Sequence, residues 1–244
     1  MKISIDTHTH SVASGHAYST IDDLAKGALM RGLAGFVLTD HGPALSGGTH
    51  PYHFGNLRVI PPLIDGVRFF KGVEANVMDV DGTIDLEPRL LLRLDFVMAG
   101  FHEICFPPSD RETNTRALAA AARNPYVDAI SHPGNPLYPI DARAFVQAAA
   151  ESGAAVEINS SSFKIRHGSH PNCLEIALLC VELGARIVCG SDAHYWRDVG
   201  NFDAALALLK EARVPAELVV NSSMMSFEAF LSDRRRSREA LGLK

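Results

Sequence analysis

The stretch Asp6-Thr7-His8-Thr9-His10 follows an apolar start at Ile3 and reads as a short strand running out into polar residues. The same transition recurs along the chain. Ala34-Gly35-Phe36-Val37-Leu38 ends at Thr39-Asp40-His41, and a strand from Asp95 to Phe101 ends at His102. Val127 to Ser131 leads into His132-Pro133, and Arg186 to Cys189 leads into Ser191-Asp192-Ala193-His194. Glu74 lies in the run Val67 to Val77, and His16 in the loop beyond the first strand. Nitrogen and oxygen ligands from the whole chain therefore gather at one end of a sheet or barrel. His8 and His10 are two apart, which on a strand puts both rings on one side.

Helical segments separate these strands. Ser19-Thr20-Ile21-Asp22-Asp23 offers a hydroxyl cap with carboxylates at the positive end of the dipole. Leu24, Ala28 and Leu29 form its inward stripe, and Gly32 stops it. Further helices are expected around Asn56 to Ile64, over Asn114 to Arg123, and from an Asp141 cap to Ser152 before Gly153. Two more run from about Pro171 to Leu183 and from Phe202 to Ala212. Asp79-Val80-Asp81-Gly82-Thr83 reads as a tight turn. Ala155 to Ile158 is another strand, and Leu218-Val219-Val220 a last apolar run. Strand and helix alternate about seven times, the pattern of parallel strands joined by right-handed crossovers. No linker or repeat divides the chain, so residues 1–244 are expected to form one domain with a short basic tail from Ser232. Arg234, Arg235, Arg236 and Arg238 in that tail read as a solvated helix end.

The length of 244 residues suits a single α/β barrel, typically about 250 residues. An apolar fraction of 47% with 21% charged residues is ordinary for a globular protein with a sizeable core. The net charge of −5 gives no general attraction for nucleic acid or an anionic membrane, so neither is an expected partner. The N-terminus enters a strand without an apolar leader, and no run approaches the ~20 apolar residues of a membrane span. A cytoplasmic protein is the expectation. Cys105, Cys173, Cys180 and Cys189 show no CxxC spacing and read as reduced thiols in the interior.

Seven of the eleven histidines (His8, His10, His16, His41, His102, His132 and His194), with Glu74 and Asp192, fall at the ends of successive strands. In parallel barrels that face carries the active site. Imidazoles with a few carboxylates and no thiolate suit Zn2+, Mn2+ or Fe2+ better than Mg2+ or Ca2+. Nine ligands exceed the needs of one ion, and a cluster of two or three would acidify a bridging water and polarise a phosphoryl oxygen. Asp6 and Asp40 are placed to orient imidazoles. The Gly- and Pro-rich segment Gly42 to Tyr52 reads as a mobile lid, with His50 and His53 near substrate. Lys164, Arg166 and His167 share the ligand-bearing face, and Arg166 is the candidate phosphate clamp because a guanidinium fork matches phosphate. No GxSxG elbow supports a Ser-His-Asp triad. GxGxxG and GxxxxGK[ST] are absent too, which leaves Gly47-Gly48 and Gly190 as ordinary loop and strand-end glycines.

The segments Asp6 to His10, Thr39-Asp40-His41-Gly42-Pro43, Gly72-Val73-Glu74-Ala75-Asn76, Ala99 to His102, Ile130 to Pro136 and Gly190 to His194, in that order, resemble the PHP (polymerase and histidinol phosphatase) superfamily. The similarity is strongest to its YcdX-type phosphatases and extends from residue 3 to about residue 230. His16-Ala17-Tyr18-Ser19-Thr20 and Phe54-Gly55-Asn56-Leu57-Arg58 add to it. The resemblance implies a distorted (β/α)7 barrel with its active site at the C-terminal strand ends. It also implies about three metal ions, usually zinc. His8, His10, Glu74 and Asp192 would hold one ion. Glu74 would bridge to a second on His102 and His132, and His16, His41 and His194 would hold the third. The implied reaction is phosphoester hydrolysis by metal-bound hydroxide attacking phosphorus in line; Asp192 and Glu74, with Arg166 from the reading of its own loop, are the candidate catalytic residues. The expected enzyme is a phosphomonoesterase of small phosphorylated molecules. The alternatives are a phosphodiesterase or nuclease with the same centre, and a non-catalytic, metal-stabilised interaction domain.

Overall fold

Short strands of nearly unbroken apolar sequence are the signature of a parallel sheet buried on both faces. The computed structural model, which describes residues 1–243, shows that arrangement. Strands β1 (Ile5–Thr9), β2 (Gly35–Leu38), β4 (Val67–Asn76), β5 (Phe96–Gly100), β6 (Ala129–Ile130), β7 (Ala155–Asn159) and β8 (Ile187–Gly190) pair in chain order, all parallel. The two-residue strand β3 (Leu63–Ile64) pairs antiparallel with the start of β4. This is the distorted (β/α)7 barrel expected from the sequence.

The principal crossover helices are α1 (Ile21–Met30), α4 (Arg111–Arg123), α5 (Ala142–Ser152), α7 (Ser169–Leu183) and α8 (Asp203–Glu211). Thr20 and Asp23 form a reciprocal capping box on α1, and Asp110 and Asp141 cap α4 and α5. Gly153 ends α5 at φ 76°, a left-handed conformation that glycine adopts without penalty. None of the described helices is long and apolar enough to cross a membrane.

One expected helix is displaced. Helix α2 covers Pro51–Asn56, with His50 capping it and Pro51 in the first turn; a 3-10 turn follows at Leu57–Val59. Pro61 and Pro62 then prevent helix from reaching Ile64, which joins β3 instead. The apolar run at residues 218–220 contributes a single bridge, Val219 to Ile187, rather than a strand. The remaining short helices are α3 (Pro88–Leu91) and α6 (Ser162–Ile165).

The barrel closes between β1 and β8 without a continuous ladder. Asp192 N donates to His8 O at 2.9 Å, and His10 N to Ala193 O at 2.9 Å. Lower down, side chains take over: Asn221 Nδ2 donates to both Ile5 O and Cys189 O at 2.8 Å, and its Oδ1 accepts from Cys189 N at 3.1 Å.

The C-terminal segment departs from the solvated tail expected from its arginines. Met224–Ala240 forms α9, which carries Phe227, Phe230 and Leu231 against the interior residues Ile5, Val37, Phe70, Phe96, Met98 and Val188. Arg234 and Arg238 are 5% and 9% exposed and both bind the Asp128 carboxylate. Arg234 also donates to Val127 O and Ser152 O, and Arg238 to Pro125 O and Tyr126 O. Only Arg235 and Arg236 behave as solvated residues. A buried carboxylate at the start of β6 needs a cation, and α9 supplies two.

Candidate metal centre

At the other end of the barrel the strands deliver their polar residues to one point. β1 carries His8 and reaches its end just before His10, and the following loop carries His16. His41, His102 and His132 come shortly after β2, β5 and β6, Glu74 from within β4, and Asp192 and His194 from beyond β8. The structure brings all nine sequence-predicted residues together around Glu74. Glu74 Oε1 lies 2.7 Å from His132 Nε2 and 3.5 Å from His102 Nε2. Its Oε2 lies 3.0 Å from His41 Nδ1, 3.2 Å from His8 Nε2 and 3.6 Å from His10 Nε2. Asp192 Oδ1 is 3.4–3.5 Å from His8, His10 and His194. His16 joins at the outer edge, its Nε2 2.9 Å from His194 Nε2.

These separations approach those of ligands sharing one ion, since zinc–ligand bonds of about 2.0–2.1 Å in a tetrahedron put ligand atoms roughly 3.3 Å apart. Four overlapping triads have ligand atoms within 4.8 Å of one another: His8/His10/Asp192, His8/Glu74/His132, His41/Glu74/His102 and His10/His41/His194. His8 Nε2, His10 Nε2, His41 Nδ1, His102 Nε2 and Glu74 Oε2 are buried and make no hydrogen bond. A buried polar atom without a partner costs about 1–3 kcal/mol. Four such nitrogens around one carboxylate, whose Oε2 is itself unpartnered, fit a site built for cations.

The electrostatics agree with that reading. Burial lowers His10 well below the usual imidazole range, and burial with Arg166 nearby lowers His132 to about 4, so both are neutral donors. Burial disfavours the charged forms of Glu74 and Asp192, yet the surrounding imidazoles hold both carboxyls well below their ordinary range. Burial also opposes charge on His8, but Glu157, Glu74 and Asp192 outweigh it and raise its pKa.

Glu157, on β7, was not singled out from the sequence. His8 Nδ1 donates to its Oε1 at 2.7 Å, which turns the His8 Nε2 lone pair toward the cluster. Its Oε2 accepts from His132 N at 2.7 Å and from Asn159 Nδ2 at 3.2 Å, and Asn159 Nδ2 also reaches Asp192 Oδ2. Gly190 is therefore no ordinary strand-end glycine. A Cβ there would lie 2.2 Å from Glu157 Oε1 and 2.4 Å from His8 Cβ. His132 and Asp192 sit at φ 32° and 57°, strained values that the surrounding hydrogen bonds must hold.

Other expectations need correction. Asp6 orients no imidazole; it accepts from the backbone N–H groups of His8, Ser191 and Gly200 and so ties β1 to the loops after β8. Asp40 binds Ser11, Ser14 Oγ at 2.6 Å and His53 Nε2 at 3.3 Å, reaching His10 only through Ser14. His53 thus turns inward, and His50 is spent on capping α2, so neither is aimed at the cluster. The segment from Gly42 to Tyr52 is pinned rather than free: Ala44 N donates to Asp85 Oδ2, Thr49 N to His41 O and Thr49 Oγ1 to Ala13 O. Arg166 reaches the centre, its Nη1 3.2 Å from both Asp192 Oδ2 and Ser162 Oγ, while Lys164 and His167 stay exposed. Of the four unpaired cysteines, Cys173, Cys180 and Cys189 are buried and Cys105 is half-buried.

No family model matches the chain. It is 50% identical over 235 residues to a probable phosphatase of Acetivibrio thermocellus, covering 96% of this chain and 98% of that one. It is 51% identical over 238 residues to a probable phosphatase of Caldanaerobacter subterraneus subsp. tengcongensis, covering 97% and 94%. Among solved structures, it resembles in fold a histidinol phosphate phosphatase from Lactococcus lactis complexed with zinc, L-histidinol and phosphate. That match has a TM-score of 0.60 at 17% identity and covers 87% of this chain and 94% of the other.

Proposed function

The chain belongs to the family of these probable phosphatases, and from that premise we propose that it is a phosphomonoesterase of the PHP superfamily, of the YcdX type, working with three metal ions. The observation that carries the metal reading is the set of buried, unpartnered imidazole nitrogens facing Glu74 and Asp192. His8, His10, Glu74 and Asp192 would hold one ion, and His102 and His132 with Glu74 a second. His16, His41 and His194 would hold the third. His41, 3.0 Å from Glu74, stands between the second and third groups. Zinc suits these donors, and Mn2+ and Fe2+ accept them.

When bound, the ions supply positive charge to phosphoryl oxygens and acidify water. The protein sets the terms of that chemistry. Imidazoles bound to metal as neutral ligands would add no charge, and two carboxylates would leave a divalent trio net positive, which would favour a phosphate dianion over a singly charged diester. Glu74, whose two oxygens face different imidazoles, would be the ligand shared between two ions. Asp192, gripped by Asn159 and Arg166, fixes the orientation of the first group. Arg166 is close enough to Asp192 to clamp a phosphate bound beside it, its planar fork matching two phosphate oxygens.

The test is turnover of an aryl phosphate monoester and the matching diester by protein of known metal content. A strong monoester preference is expected, and preference for the diester would overturn the proposal. His16→Ala should lower metal content by about one ion per chain and remove most activity. Unchanged metal content and turnover in that variant would remove the third ion from the scheme.

A further inference from the structure

Apart from the buried Asp40, the loops beyond β1 and β2 contain no formal charge. Ser11 to Ser19 and Gly42 to Gly55 together hold no Lys, Arg, Asp or Glu. They form one continuous wall beside the metal-ligand cluster. Thr49 Oγ1 donates to Ala13 O at 3.1 Å, His41 N donates to Ser14 Oγ at 3.1 Å, and a Cβ on Gly15 would lie 2.7 Å from Gly47 O. No bulkier residue would allow that approach.

Large apolar side chains stand exposed where this wall meets the outer edge of the cluster. Tyr18 is 76% exposed, and its N donates to His194 O at 2.8 Å. Val12, whose N donates to Ser19 O, is 56% exposed, and Tyr195, next to His194, 43%. Tyr18 and Tyr195 are therefore tied to the His16–His194 pair, the solvent-facing side of the nine ligands, and Val12 is held to Ser19, next to Tyr18. Arg166 and Lys164 follow β7, on the side of Asp192, and the cations nearest Tyr195, Lys26 and Arg197, are stacked on the Trp196 ring at 5.0 and 4.7 Å. Single exposed apolar residues are unremarkable on any surface. Several beside one polar catalytic cluster, on uncharged loops, have the composition of a ligand-binding wall.

We infer that the substrate's non-phosphate part is an uncharged, apolar body, best an aromatic one, that rests on this wall while its phosphate faces the metal ligands. The inference builds on the phosphomonoesterase reading and narrows it to a substrate class. A sugar, nucleotide or amino-acid phosphate would set hydroxyls or charges against loops that carry no Lys, Arg, Asp or Glu of their own to pair with them. An aromatic body would remove apolar area on both partners from water, and the tyrosines lose little rotamer freedom in covering it.

The experiment compares 2-phenylethyl phosphate with glycerol 1-phosphate on metal-loaded enzyme. Both expel an alkoxide, so the comparison reads the body rather than leaving-group reactivity. The expected kcat/KM ratio is at least about tenfold in favour of the phenylethyl ester, the scale set by modest apolar contact in a pocket. In a Tyr18→Ser/Tyr195→Ser double variant with unchanged metal content, the ratio should fall toward one, chiefly through KM. Calorimetry provides a readout that needs no turnover: 2-phenylethylphosphonate should bind about tenfold more tightly than methylphosphonate, and the double variant should erase the difference. Equal kcat/KM values with equal phosphonate affinities would overturn the inference and leave the phosphatase reading intact. If neither ester is hydrolysed, the monoesterase reading fails, and the phosphonate pair still decides whether the wall selects an apolar body.

Discussion

Both ends of the barrel bury charge, and they settle it in opposite ways. At the N-terminal end Asp128 accepts from Val97 N and from two guanidinium groups of α9, whose remaining donors go to backbone carbonyls. At the C-terminal end Glu74 and Asp192 face six imidazoles, with His16 at the outer edge, and five of the ligand atoms there have no hydrogen-bond partner. A network closed on itself stabilises one fold. An open one has room for something from outside, and its donor chemistry is able to hold metal cations. The difference separates a structural cluster from a functional one without reference to any relative.

That contrast can be broken most forcefully at its centre. Glu74→Gln should reduce kcat/KM by about a thousandfold and lower the metal content, because one charge serves four imidazoles. Full metal occupancy in this variant, measured by elemental analysis, would show that Glu74 is not a ligand. At the opposite end, Asp128→Ala strands two buried guanidinium groups and should cost about 3–5 kcal/mol in urea unfolding, with metal per folded chain unchanged. Loss of metal there would mean that the two ends are coupled. Glu157→Gln sharpens the comparison, since Glu157 is a satisfied carboxylate lying against the open cluster. Metal affinity should fall about 10–100-fold. Glu157 also raises the His8 pKa, so protons compete with metal at His8 up to a higher pH than at an ordinary imidazole. Removing its charge lowers that pKa, so the variant's loss of metal affinity relative to the parent protein should narrow as pH falls. A chelator titration across pH checks both signs.

The barrel and the nine clustered residues were readable because each strand is an apolar run ending in a polar residue, a pattern that survives without any alignment. What escaped were residues whose partners lie far along the chain. Glu157 sits between Val156 and Ile158, where alternation suggests a solvent-facing side chain; an acid inside a buried parallel strand is the signal that was available. Asn221 looks like a loop residue until β1 and β8 come together on either side of it. Arg234 and Arg238 are four apart on one face of α9, but among four arginines that spacing reads as solubility. Nothing local to the tail announces Asp128, more than a hundred residues earlier. The Asp6 and Asp40 expectations placed the right residues near the site with the wrong partners, because the backbone N–H groups of Ser191 and Gly200 and the hydroxyls of Ser11 and Ser14, brought in by folding, take up these carboxylates.

The position of α9 also has a temporal meaning. The ribosome makes this helix after all eight strands, yet Phe227 and Phe230 complete the layer that fills the barrel's interior. Until residue 230 clears the exit tunnel, Phe70, Phe96 and Met98 have no cover on that side. A nascent chain stalled before α9 carries every proposed metal ligand and still lacks its floor, which makes it a natural client for chaperones.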